Sequence, residues 1–361
     1  MPRDLPIGNG SLLVAFDSHG PFDLPSLRRS ALRSLTSQPL PFVLECGLGD
    51  VPWFPPAGGT LADQHRSLTL LTAGARALSF YMAVERDRWA GGLLSPDGTP
   101  TPDAAWVTHL LSSLRALDWP SLRRLPPVAI ITSSLDADLA TAASLLDPIT
   151  PAATALLHLP LSDLSDLPST THLWLRAVEL ALERAGIPYD VLDDSTPPAT
   201  LASYRALIAP FTTHIPAGLL ATLRDLAESK RTIVVLGPTP PTLDEANAPL
   251  PPLPLRRTGK MRPGSLTDLE GLAADLTSLA GPSPTWRCPT DSCTLSLFFR
   301  ATTPVALFLS NDGPATTATL VTTEPATLRC ALTSEIILLP SGSASIPLAA
   351  SSIRFFLIER P

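Results

Sequence analysis

Polar and aromatic side chains follow three apolar runs in the first third of the sequence. The runs lead into AFDSHG, VLECG and FYMAVERDRW, and an aromatic pair, WF, comes soon after the second. The candidate residues at these places are Asp17, His19, Glu45, Trp53, Tyr81, Glu85, Arg88 and Trp89. Carboxylates can act on the anomeric carbon of a sugar, and aromatic rings pack on the apolar faces of sugar rings. The combination predicts a carbohydrate site in which Glu45 is the leading catalytic candidate.

These candidates also have a purely structural interpretation. Glu45 suits an N-cap or an ion-paired loop acid equally well. Asp17 and His19 suit local hydrogen bonds that close a strand. The tryptophans are typical of residues that fix a core or a loop, and the basic and acidic run 86–88 is typical of a solvated loop. At this point both interpretations stay open.

The elements that must position these residues alternate between strand and helix over residues 1–120. Short apolar runs at 11–20, 40–46 and 77–89 predict strands, and amphipathic patterns at 24–35, 61–75 and 103–117 predict helices. In a parallel α/β barrel, the carboxyl ends of the strands face the substrate. We therefore expect residues 1–120 to form part of a (β/α)8 barrel, with the candidates at its carboxyl-terminal edge.

Two further parts follow. Residues 121–280 carry predicted strands near 128, 189, 206 and 232, with helices between them, which is typical of a small doubly wound α/β domain. Its Pro-rich stretch 238–265 predicts a loop or a partly extended insert. Residues 281–361 carry short β runs separated by turns, which predict a β-sandwich. The fold class is therefore α/β plus β.

Charge and composition exclude several classes of function. The formal net charge is −7, and the arginines come in scattered pairs, so we expect no nucleic-acid partner. No run of about 18 apolar residues occurs, so we expect no membrane span. The first residues lack the apolar stretch of a secretory signal, which predicts a cytoplasmic protein, with a truncated start as the open alternative.

Other catalytic or cofactor chemistry has little support in the sequence. The four cysteines, at 46, 288, 293 and 330, form no CxxC pair with matching histidines, so we expect no metal and no cofactor. They suit buried thiols, and a disulfide between Cys288 and Cys330 stays open. No cysteine lies between Cys46 and Cys288, so the histidines of the middle domain lack a thiol nucleophile.

Two stretches carry a family resemblance. LPFVLECGLGDVPWFPP and GARALSFYMAVERDRWAGGLLSPDGTP resemble the last strands of the catalytic barrel in β-galactosidases of glycoside hydrolase families 35 and 42. The order of parts is also similar, since residues 126–275 resemble the flavodoxin- or amidotransferase-like domain that follows that barrel. A C-terminal β domain completes the resemblance.

The resemblance implies a retaining mechanism, with Glu45 as the nucleophile at the end of the seventh barrel strand. A whole barrel takes about 250 residues, whereas residues 1–120 have room for about three βα units. The fourth strand, which carries the family's acid/base Glu in an Asn-Glu pair, has no counterpart here. A separate chain that completes the barrel, a truncated remnant and a different use of the fragment are the open explanations.

We expect two alternative functions. The first is a β-galactosidase-like fragment with little turnover by itself, because it lacks the acid/base half of the barrel. The second is a non-catalytic carbohydrate-binding or oligomerisation module. The expected partners are a β-galactoside and either a second copy of the chain or a missing N-terminal barrel chain.

Overall fold

The structure is a computed structural model that divides into two compact units. The first unit joins residues 1–125 to residues 283–361, and the second comprises residues 126–282. The described residues are 24–36, 41–49, 59–87, 89–134, 163–211, 213–229, 232–256, 259–264, 274, 286–290, 292–333, 335–340 and 342–360. The strand predicted at 11–20 lies outside them.

The N-terminal part of the first unit alternates helices and strands. In chain order its elements are α1 (Leu24–Leu35), β1 (Phe42–Gly47), α2 (Gly59–Thr72), β2 (Ala77–Tyr81) and α3 (Ala104–Ala116). The strands β1 and β2 pair in parallel. The three predicted helices are present, and in α1 the apolar residues at a spacing of four, Leu27, Ala31 and Leu35, are all buried. The described residues show a parallel pair consistent with a partial barrel and show no closed barrel.

The two faces of β2 differ in their surroundings. Leu78 and Phe80 are half-buried, whereas Ala77, Ser79 and Tyr81 are exposed. The ring of Phe80 meets the ring of Trp106 on α3 edge to face at 6.2 Å. Because side chains alternate along a strand, helix packing on one face leaves Tyr81 on the other.

The C-terminal part of the first unit contains two antiparallel sheets. Its strands are β8 (Trp286–Arg287), β9 (Cys293–Arg300), β10 (Thr303–Asn311), β11 (Thr316–Thr322), β12 (Ala326–Cys330), β13 (Ile336–Leu339), β14 (Gly342–Leu348) and β15 (Ser352–Glu359). One sheet has the order β13-β12-β15-β10-β9, and the other has the order β14-β11-β8. Buried residues of both sheets form one apolar core, as in a sandwich.

Two strands of this sandwich, β12 and β14, do not stand out in the sequence as apolar runs. In β12 the short segment ATLRC mixes apolar and polar residues, and β14 begins at a glycine and contains Pro347. Because β14 lies at the edge of its sheet, a proline is tolerated there. Pairing with neighbouring strands therefore makes these two segments strands, although their local sequence pattern does not predict it.

The sandwich packs directly on the N-terminal part of the first unit. Arg28 of α1 forms two hydrogen bonds with the carboxylate of Asp312, at 2.8 and 3.1 Å. Trp119 follows α3 in a short 3-10 helix, Trp119–Ser121, and its ring contacts the rings of Phe298, Phe308 and Phe355. The division at residues 120 and 280 stays a prediction, and the first and third of its parts lie in one compact unit.

The second unit is built on a parallel sheet. Its elements are β3 (Val128–Thr132), α4 (Asp163–Arg184), β4 (Tyr189–Asp193), α5 (Pro198–Leu201), β5 (Ala206–Ala209), α6 (Ala217–Glu228), β6 (Ile233–Leu236) and β7 (Met261–Pro263). The strand order β4-β3-β5-β6-β7 is that of a flavodoxin-like doubly wound sheet. The four predicted strands are present, and the fifth, β7, lies in the stretch predicted as a loop or extended insert. Gly186 has a φ of 64° just after α4, the left-handed conformation that favours glycine at the end of a helix.

The four cysteines are free thiols, so the disulfide considered between Cys288 and Cys330 is not formed. Burial raises the pKa of Cys46 to about 11 and that of Cys293 to about 12. Both thiols therefore stay protonated at neutral pH. Among the described helices, none combines the length and the apolar character needed to cross a membrane.

His65 gives the first unit a predicted dependence on pH. Its side chain is buried in α2, and burial lowers its pKa from 6.5 to about 4. Below pH 6.5 the His65 side chain binds a proton in the unfolded chain, whereas in the folded chain it binds one only near pH 4. The free energy of unfolding should therefore fall by about 2–3 kcal/mol between neutral pH and about pH 4.5 through this group alone.

Urea unfolding of the native chain and of His65→Gln at both pH values measures this effect. We expect the variant to lose that part of the pH dependence, since glutamine takes up no proton in this range. His109→Gln is the matched control, because His109 is an exposed residue of α3. Equal pH dependence in the native chain and in His65→Gln would contradict the prediction.

Candidate functional site

The candidate site lies at the carboxyl ends of β1 and β2. Because the two strands are parallel, both carboxyl ends lie at the same edge of the sheet. Glu45 is a residue of β1, two positions before its last residue, and Tyr81 is the last residue of β2. Gly47 is paired with Tyr81, so the strand ends are level with each other. The fold therefore brings these two predicted site residues to the same edge.

The β1 strand contains a bulge at the predicted nucleophile. Val43 is paired with Leu78 and Cys46 with Phe80, so two residues, Leu44 and Glu45, lie opposite the single residue between Leu78 and Phe80. A bulge redirects side chains locally, and bulges are common beside active sites. The bulge leaves no signal in the sequence, because the extra residue is defined only against the partner strand.

The loop after β2 brings Trp89 back to the end of β1. Its indole N–H donates a hydrogen bond to the carbonyl of Leu48 at 2.7 Å. Its ring meets the ring of Tyr81 edge to face at 5.6 Å. Tyr81 is 41% exposed, so the aromatic pair presents accessible surface beside the strand that carries Glu45. Trp89 thus fixes the loop and also contributes an aromatic ring to the site.

Glu85 supports the same loop. Its Oε1 accepts a hydrogen bond from the backbone N–H of Gly91 at 2.9 Å, and its own N–H donates to the carbonyl of Leu94 at 2.7 Å. The residue is half-buried. One of its two oxygens therefore closes the loop that presents Trp89, and its proposed contact with substrate stays a prediction.

Two residues of α2 that were not among the sequence candidates, Asp63 and Arg66, also reach the site. Asp63 accepts a hydrogen bond from the N–H of Gly49, and Arg66 donates one to the carbonyl of Gly47. The two backbone partners, Gly47 and Gly49, lie two and four residues beyond Glu45. Their spacing of three is the signal available in the sequence, but an exposed ion pair on any helix has the same spacing.

Other predicted site residues fall outside the described residues. They are Asp17, His19, Trp53 and Arg88. Their roles, and the nucleophilic role of Glu45, stay predictions. Within the described ranges, no group of three or more His, Cys, Asp or Glu side chains is placed to hold a metal ion.

Comparison with known proteins gives a likeness of fold. No family profile matches the chain, and no curated protein matches it. A β-galactosidase from Bacillus circulans sp. alkalophilus superposes with a TM-score of 0.66 at 16% identity, over 94% of this chain and 59% of that one. For a GH42 β-galactosidase from G. stearothermophilus the TM-score is 0.62 at 13% identity, over 93% and 57%. A GH42 exo-carrageenase from Bacteroides ovatus gives 0.56 at 11% identity, over 90% and 42%.

The chain thus has a glycoside hydrolase-like fold whose structural neighbours include GH42 β-galactosidases. It spans less than two thirds of the length of these neighbours. Their different activities, on β-galactosides and on carrageenan, show that the fold alone does not define a substrate.

Proposed function

We propose that this chain is a β-galactosidase-like retaining glycoside hydrolase fragment in which Glu45 is the nucleophile. The observation that carries the proposal is the bulge of β1 at Glu45, two residues before the end of the strand, where Gly47 pairs with Tyr81 and Leu48 accepts a hydrogen bond from Trp89. The fold is like that of GH42 β-galactosidases, which supports the choice of a β-galactoside as substrate. Tyr81 and Trp89 would pack on the apolar face of the sugar ring.

The proposed chemistry is a double displacement. The Glu45 carboxylate attacks the anomeric carbon, the bond from that carbon to the leaving oxygen breaks, and a glycosyl ester forms on Glu45. Water then attacks the anomeric carbon and releases the sugar, which frees the carboxylate. A second carboxyl group about 5–5.5 Å away normally protonates the leaving oxygen in the first step and takes the proton of the attacking water in the second.

We propose little turnover of unactivated β-galactosides by this chain alone. The sequence contains no Asn-Glu pair, which is the form in which the acid/base residue occurs in the resembling families. General acid catalysis typically contributes about 10²–10⁴-fold to such reactions. A substrate whose leaving group needs no proton avoids this requirement.

Covalent trapping tests the role of Glu45. We expect incubation with a dinitrophenyl 2-deoxy-2-fluoro-β-galactoside to add one fluorosugar mass to the native chain. The good leaving group departs without an acid, and the fluorine slows hydrolysis of the ester. Intact mass and peptide mapping locate the adduct, which should be on Glu45. In Glu45→Gln the adduct should be absent.

Glu335→Gln is the matched control, because Glu335 is an exposed acid of the sandwich that pairs with Arg354. This variant should be labelled like the native chain. An unlabelled native chain, or an adduct that persists in Glu45→Gln, would refute the nucleophilic role.

The exposed ring of Tyr81 also favours a second candidate function, carbohydrate binding without turnover. In that case the chain would bind galactosides reversibly, and Glu45→Gln would bind them as tightly as the native chain. Equilibrium binding of unreactive galactosides, measured beside the trapping reaction, separates the two candidates.

For partners, we propose self-association or a separate chain that completes the barrel. Within the described residues, β1 and β2 form a sheet of two strands, so each pairs with one neighbour. Strand edges without partners promote association. Sedimentation at high concentration should therefore show oligomers of the isolated chain, and a clean monomer would contradict self-association.

A further inference from the structure

We infer that Asp63 and Arg66 of α2 are positioning residues that fix the backbone immediately after Glu45. The inference rests on the proposed nucleophilic role of Glu45. It extends the site from the strand ends to the buried side of α2, the helix that follows β1. It also assigns a role to a charged pair that the fold keeps out of water.

The contacts of the pair are directed at the chain after the bulge of β1. The Oδ2 atom of Asp63 accepts the N–H of Gly49 at 2.9 Å, while its Oδ1 atom lies 3.0 Å from the guanidinium of Arg66. The same guanidinium nitrogen donates to the carbonyl of Gly47. The ion pair therefore bonds to backbone groups two and four residues beyond Glu45.

The pair is buried at a cost in free energy. Asp63 is 5% exposed and Arg66 is 2% exposed. Removing two charges from water costs several kcal/mol, which their attraction seldom fully offsets. The Nε of Arg66 is also buried without a hydrogen-bond partner. Because such a pair is expected to add little net stability, its bonds to Gly47 and Gly49 are better explained by control of the position of that segment.

The same segment is held from two other elements. The N–H of Leu48 donates to the carbonyl of Tyr81 at 2.6 Å, and the carbonyl of Leu48 accepts the indole N–H of Trp89 at 2.7 Å. Residues 47–49 are thus bonded to β2, to the loop after β2 and to α2. Since a nucleophile misplaced by about 1 Å can lose about 100-fold in rate, loss of the α2 contacts should slow the reaction of Glu45.

The test compares Asp63→Ala and Asp63→Asn with the native chain. Trapping with the 2-deoxy-2-fluoro-β-galactoside gives a maximal inactivation rate constant and an apparent dissociation constant. We expect Asp63→Ala to lower the rate constant about 10- to 100-fold, with little change in the dissociation constant. Asp63→Asn keeps an acceptor for the N–H of Gly49 and should recover most of the rate. Hydrogen exchange in a peptide that contains residues 47–49 should rise in Asp63→Ala.

Asp312→Ala is the matched control, because it removes the acidic partner of Arg28, another largely buried ion pair of the first unit. It should lower stability without changing the rate of labelling or the exchange of residues 47–49. If the native chain is labelled and Asp63→Ala and Asp63→Asn react at the native rate, the positioning role is refuted and the nucleophile stands. An equal rate loss in Asp312→Ala also refutes it. If the native chain is not labelled, the proposed function fails and this inference fails with it.

Discussion

Replacing Trp119 by alanine is expected to lower the free energy of unfolding of the first unit by about 3–5 kcal/mol, the usual cost of deleting a buried tryptophan. The ring is 3% exposed and lies 4.4 Å, centroid to centroid, from Phe298. Its indole N–H also donates to the carbonyl of Ala75, just before β2, at 2.8 Å. One side chain thus joins the sandwich to the segment that leads into the site.

Urea unfolding followed by circular dichroism measures this loss. Trp119→Phe is the informative control, since it keeps an aromatic ring in the cluster but loses the hydrogen bond to Ala75. We expect it to lose less than the alanine variant does. A loss below about 1 kcal/mol in Trp119→Ala would show that the cluster closes around the cavity and that the ring does not hold the two parts together.

Replacing Gly49 by alanine is expected to cost about 3–4 kcal/mol and to displace the loop after β1. Gly49 has a φ of 70°, which L-residues rarely adopt, and a Cβ atom there would lie 2.2 Å from the carbonyl oxygen of Ala90. The backbone conformation costs about 1–3 kcal/mol, and the overlap with a backbone atom adds a similar amount. The clash pushes residues 47–49 away from the loop that carries Trp89.

Gly98→Ala separates these two contributions. Gly98 has a φ of 86°, but a Cβ atom there has nothing within 4 Å. We therefore expect only the cost of the backbone conformation, and no change in labelling of Glu45. Thermal melts and the labelling rate of both variants test this. Equal losses of stability in Gly49→Ala and Gly98→Ala would show that the backbone at Ala90 moves aside without loss of stability.

The elements of the fold were largely predictable from sequence. The helix period placed α1, α2 and α3, and in α4 the buried residues Trp174 and Val178 lie four positions apart, which is the spacing of one helix face. Apolar runs predicted β1, β2 and four of the five strands in the parallel sheet of the second unit. These are local properties, because side chains a few residues apart determine which helix or strand face can be buried.

The arrangement of those elements was not predictable in the same way. The sequence predicted a domain boundary at residue 120, yet the structure buries the ring of Trp119 among phenylalanines of the sandwich. In the sequence, Arg28 is one of several scattered arginines with no predicted role. In the structure it forms an ion pair with Asp312, which is 284 positions further along the chain. The first and third predicted parts lie in one compact unit, and long-range contacts of this kind join them.

By itself, the sequence determined that Glu45 lies near the end of a strand and that aromatic residues follow nearby, because strand ends and turns leave a local pattern. Tertiary structure alone decided that the strand bulges at Glu45, that Trp89 returns to the carbonyl of Leu48, and that Asp63 bonds to Gly49. The physical reason is that register and long-range hydrogen bonds depend on the partner strand, loop or helix. Which partner a residue meets is settled only when the whole unit packs.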